Sequence, residues 1–179
     1  MQDWTGRGKG VVAAAALALW GGAGAQEPEA QRDEPGVGFV EVLDLRPKDA
    51  PDACDPAATQ VRLTVHGMAE GRGLLAAEVY RNDQRGFLNK KGRVRRVRVP
   101  AQRGAVTVCM DVAPGTYAVA AYHDEDGDRD LGQKWNKMPK EPFALSGDRE
   151  LKFGWPDIEP SLFDVPRGGA DVDVTLIRP

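Results

Sequence analysis

The stretch HDEDGDRDLGQKW, residues 123–135, sets Asp124, Asp126, Asp128 and Asp130 at every second position around Gly127, directly after Tyr122 and His123. Alternating carboxylates in a short glycine-bearing loop are hard oxygen donors, the ligand type of calcium, which takes about six to eight oxygens. With Asp124 as the first position of an EF-hand, Asp126 and Asp128 fill the third and fifth. The glycine and the bidentate glutamate that such a loop also needs are replaced by Arg129 and Trp135, so this is not an EF-hand. A looser and weaker calcium site remains, with Asp130 as a further aspartate and Glu141 or a backbone carbonyl completing the shell. The competing reading is a solvated acidic turn. Four carboxylates this close repel one another unless a cation or basic side chains such as Arg129 and Lys134 compensate them.

His123, followed by Asp124 and Glu125, has the composition of a general-base site. If the preceding TYAVAAYH is a strand, however, His123 shares a face with Tyr117, Val119 and Ala121 and closes one end of a core. The second histidine, His66, lies far off in sequence, and Ser146 and Ser161 have no nucleophile motif around them. The expectation is therefore a non-enzymatic protein. The rival is a small hydrolase using His123 and Asp124 with a metal held in the loop. Trp135, Phe143 and Trp155, with His123, make up a candidate ligand surface.

These residues need a scaffold, and the chain writes one in period two. VRLTVH (61–66), GLLAAEVY (73–80), RVRRVRV (93–99), AVTVCMDV (105–112), TYAVAAYH (116–123) and DVDVTLI (171–177) each alternate as half-buried strands do. RNDQRG, PAQRG and APG supply turn residues between them. No capped helical periodicity appears beyond the N-terminal segment, so the fold class is all-β, an antiparallel sandwich. Residues between Asp124 and Asp171 keep no such rhythm. They form one long loop rich in proline, with Trp135, Phe143, Phe153, Trp155 and Phe163 along it. A loop of that length is functional or disordered, and its aromatics argue for packing; the span 131–166 is expected to be ordered by Trp135, Phe143, Phe153 and Trp155. The basic strand KKGRVRRVRVP (90–100) reads as the guard of a sheet edge.

The N-terminus carries Arg7 and Lys9, an apolar run VVAAAALALW, and Ala23-Gly24-Ala25, the layout of a cleavable export signal. Removing residues 1–25 from the 179 leaves 154, of which 26–58 is a flexible leader and N-terminal extension and 59–178 the sandwich domain. No further segment spans a membrane, and the periplasm or the medium is the expected location. In such an oxidising setting Cys54 and Cys109 have only each other. Cys109 stands on the face of AVTVCMDV opposite Val106, Val108 and Met110, so a disulfide is expected. A net charge of −3 and few aromatics beside the basic run argue against nucleic acid. The partner is left as an envelope component or a small ligand.

PGTYAVAAYHDEDGD (114–128), MPKEPF (138–143), FGWPDIEPSLFDV (153–165) and GLLAAEVYRNDQRGFLNK (73–90) together resemble domain-of-unknown-function family 2141, exported bacterial proteins with a pattern close to PGTYA, HDENGNG, then PKEP. The resemblance covers about residues 59–178. It implies an immunoglobulin-like or transthyretin-like β-sandwich and no particular reaction. Arg129 stands at the family's second loop glycine, Gly132 at its closing aspartate, and Lys137 where a glycine is usual.

Overall fold

A computed structural model describes residues 45–132, 134, 138–147 and 156–179. The expected export signal, and Trp135, Phe153 and Trp155, lie outside the described residues. Among the described residues eight strands run in chain order: β1 (Gln60–Met68), β2 (Leu74–Arg81), β3 (Arg93–Pro100), β4 (Gly104–Asp111), β5 (Gly115–Asp124), β6 (Phe143–Leu145), β7 (Phe163–Val165) and β8 (Ala170–Thr175). All six strands read from alternation are present. The three-residue strands β6 and β7 lie within the long loop.

The strands form two sheets, one ordered β4-β1-β8 and the other β3-β2-β5-β6, with β7 also pairing β5. Among the described residues every strand pairing is antiparallel except one: β8 runs parallel to β1, Leu63 opposite Val172. The purely antiparallel expectation fails there because the chain crosses the molecule through the long loop before β8. A parallel pair needs such a crossover, whereas a hairpin would force antiparallel pairing. Val61, Leu63 and Val65 of β1, Leu75, Ala77 and Val79 of β2, Val108 and Met110 of β4, and Val119 and Ala121 of β5 make one buried cluster drawn from both sheets. The molecule is thus an all-β sandwich whose inner faces are the alternate positions of its strands.

The outer face of the larger sheet is covered as well. On β2 all residues from Leu74 to Tyr80 are buried, and on β5 all from Tyr117 to Asp124. Phe87, from the loop after β2, packs edge-on against Tyr80 with ring centroids 5.6 Å apart. It joins Ala118, Ala120, Leu145 and Ile158 in a second cluster, and Phe143 packs with Ala76 and Tyr122 in a third. The alanines make room for this covering layer. Ser146 fixes it: its Oγ accepts from Val119 N–H at 2.9 Å and donates to Ser161 O at 2.5 Å.

β3 is an edge strand, as its charge predicts. A bulge opposite Val79 and Tyr80 shifts its register, so Val94 packs on the sandwich core with Val97 and Val99. Arg93 consequently joins Arg96 and Arg98 on the outer side.

Candidate functional site

Strand β5 carries the chain to Asp124, which lies opposite Leu74 of β2 and is fully buried. The acidic loop therefore starts from a fixed point. Gly127 and Arg129 adopt left-handed φ angles of 72° each, and these two turns curl the loop back on itself. The backbone N–H of Arg129 donates to Asp124 Oδ2 at 2.9 Å, that of Asp128 to Asp126 Oδ1 at 3.1 Å, and that of Asp130 to Asp128 Oδ1 at 2.8 Å. Arg129 occupies a conformation that glycine takes without strain, and it is held there by these bonds and by a 2.8 Å ion pair to Asp49.

The curl brings one oxygen each from Asp124, Asp126 and Asp128 within 4.8 Å of one another. Calcium binds oxygens at roughly 2.3–2.6 Å, so two ligands on opposite sides of an ion stand about this far apart. Asp124 Oδ1 is buried and has no hydrogen-bond partner. Burial pushes the Asp124 carboxyl above its ordinary pKa, against the Arg129 N–H that favours its charge. Glu141, which begins the short approach to β6, accepts from Glu125 N–H through Oε1 at 2.9 Å, while its buried Oε2 has no partner. Burial, together with the charges of Asp124, Asp126 and Asp128, raises Glu141 to about 7. The three aspartates form an oxygen-only, acidic cluster in which Asp124 Oδ1 is orphaned, a chemistry suited to a hard divalent cation.

Among the expected ligands, Asp124, Asp126 and Asp128 converge. Asp130 does not; it is exposed and lines a neighbouring cleft instead. Of the two basic residues expected to neutralise the loop, Arg129 reaches Asp49 and Lys134 donates to the Pro179 carbonyl at 3.2 Å. His123 is 1% exposed. Its Nε2 bonds the Arg72 carbonyl at 2.7 Å, which makes that nitrogen the donor, and its Nδ1 lies 3.9 Å from Glu125 Oε1. Phe143, 4% exposed, borders the cleft on the outer face of the larger sheet, so it and His123 do not share one surface. Cys54 and Cys109 are joined by a disulfide, with Cα atoms 5.3 Å apart.

The sequence reading missed the residues around Asp49 and Glu78. Glu78, an isolated acid inside the apolar run LLAAEVY, was the available signal. Its Oε1 accepts from Arg93 at 2.5 Å, and Tyr80 donates its hydroxyl to Oε2.

A family model described as an uncharacterized protein conserved in bacteria, DUF2141, matches residues 63–173. No curated protein and no solved structure matches the chain.

Proposed function

Because the chain belongs to the DUF2141 family, whose description assigns no activity, we propose its function from the acidic loop. We read it as an exported, non-enzymatic β-sandwich module of the cell envelope that binds a divalent cation, calcium by ligand type, at Asp124, Asp126 and Asp128. The observation that carries this reading is the convergence of the three carboxylates around an Asp124 oxygen that is buried and unpartnered. An unsatisfied buried oxygen of a charged group is costly, and a bound cation removes that cost. Glu141, raised to about 7 by burial and by the charges of the three aspartates, would ionise more readily once a cation sat among them. Export rests on the basic, apolar and small-residue order of residues 1–25, and the disulfide suits an oxidising compartment. The hydrolase reading loses support at His123, whose ring is enclosed and bonded to a backbone carbonyl. Two of the three carboxylate residues are exposed, which supports an expected affinity in the range of about 10⁻⁴–10⁻³ M, that of extracellular modules.

Thermal melts in calcium and in chelator test the reading. At calcium near 100 times the dissociation constant, binding adds about 2.7 kcal/mol to the stability of the folded state. Asp126→Asn combined with Asp128→Asn should remove that increment and leave the chelator melt unchanged. Coincident midpoints for the wild type at that calcium concentration would reduce the loop to a solvated turn.

A further inference from the structure

A cleft of about 240 Å³ opens on the outer face of the larger sheet, away from the sandwich core. Its position follows from the covering layer: Phe87 and Ile158 roof one part of the sheet and Phe143 another, and among the described residues nothing fills the gap between them. The β3 bulge turns Arg93 onto the side where Arg96 and Arg98 stand. Among the described residues, Lys90 and Arg129 bring the basic ones lining the cleft to five, against two acidic ones, Glu78 and Asp130. Asp49 grips three of these guanidiniums from beyond the lining.

The hydrogen bonds point the same way. A carboxylate offers about four lone-pair sites and each guanidinium five donors. Asp49 accepts from Arg96 Nε and Nη2, Arg98 Nη1 and Arg129 Nη2 at 2.8–3.3 Å, so its capacity is filled. Arg98, whose side chain is 3% exposed, bonds further to Tyr122 Oη at 3.1 Å and Arg129 O at 2.8 Å, yet its buried Nε–H has no acceptor. A buried guanidinium N–H without an acceptor is unfavourable until an acceptor such as an anion meets it. The remaining wall is apolar, with Leu88, Leu131, Met138, Phe143 and Leu145. An apolar pocket with a few convergent polar groups is the usual form of a small-molecule site, and this one is slightly smaller than the common range of roughly 300–1,000 Å³.

We propose that this cleft binds a compact organic anion, a carboxylate or phosphate head on the Arg93–Arg96–Arg98 cluster with an apolar body against Leu131, Phe143 and Leu145. The acidic loop and the cleft are separate sites, and the inference stands without the cation.

Calorimetric titration of the whole mature protein in chelator, with octanoate, octyl phosphate and octanol as probes, isolates the cleft from the calcium reading. At least one of the two anions should bind, and the tighter one identifies the head group. Octanol, with the same body and no charge, should bind at least about tenfold more weakly, since a charge-assisted hydrogen bond is worth about 1.5–3 kcal/mol. Arg96→Gln, at a partly accessible guanidinium, should weaken the anion about tenfold. Ala120→Leu, which fills the floor of the cleft and keeps every charge, should abolish binding. Failure of both anions at millimolar concentration, equal binding of octanol, or undiminished binding by the Ala120→Leu protein would overturn the proposal.

Discussion

Asp49 holds three guanidiniums of a basic surface on one carboxylate. It is 4% exposed, and burial alone would raise its pKa; the hydrogen bonds and charges of Arg96 and Arg98 outweigh that and hold it below the ordinary carboxylate value. Removing the charge leaves the guanidiniums facing one another, so Asp49→Asn should lower stability by about 3 kcal/mol or more in urea unfolding. The pH dependence follows from the lowered pKa. The stabilisation is complete above the unfolded carboxyl value near 3.9 and is lost as pH falls through the lower folded value. Between about pH 5 and pH 2 the wild type should therefore lose more stability than Asp49→Asn, which has no carboxyl to protonate. Parallel acid limbs in the two proteins would contradict it. Nothing near Asp49 in sequence announces this role, because its partner Arg96 is 47 residues away. The convergence of Asp124, Asp126 and Asp128 was readable for the opposite reason: the ligands are local, and the strand before them fixes where the loop begins.

Gly73 opens β2 beneath the acidic loop. Its φ of +74° is left-handed, and a Cβ there would come 2.0 Å from the Asp124 carbonyl oxygen. Gly73→Ala should destabilise the fold by more than about 1 kcal/mol, and because the clash falls on Asp124 and Glu125 it should also weaken calcium binding. A variant with wild-type stability and affinity would show that the loop is not seated on this turn. Alternation revealed six of the elements, since period two survives wherever one face meets the core. It could not reveal β6 and β7, which are too short for any period, or the β3 bulge, which changes parity within RVRRVRV. That parity change puts Val94 on the core and Arg93 beside Arg96 and Arg98, where strict alternation through RVRRVRV would put Val94 with Arg96 and Arg98.

The two sheets are closed at the N-terminal side by residues 45–58. Asp52 N–H donates to Cys109 O at 2.9 Å, Asp111 N–H donates to Asp52 Oδ2 at 2.8 Å, and Arg95 pairs with Asp52 at 3.0 Å. The sequence reading placed these residues in an extension ahead of the domain; in the fold they pack on it, tied at Cys54. Cys54→Ser with Cys109→Ser opens a 55-residue loop, so the double variant should lose about 4 kcal/mol and exchange the Asp52 amide faster. Unchanged exchange at Asp52 would mean that the ion pairs hold the segment unaided. The central claim concerns the acidic loop on this frame, and calorimetric titration of calcium into the oxidised protein tests it most directly. One ion per chain should bind with a dissociation constant of about 10⁻⁴–10⁻³ M, and Asp124→Asn should abolish the binding. No saturable heat at millimolar calcium, or an unaltered isotherm for Asp124→Asn, would contradict it.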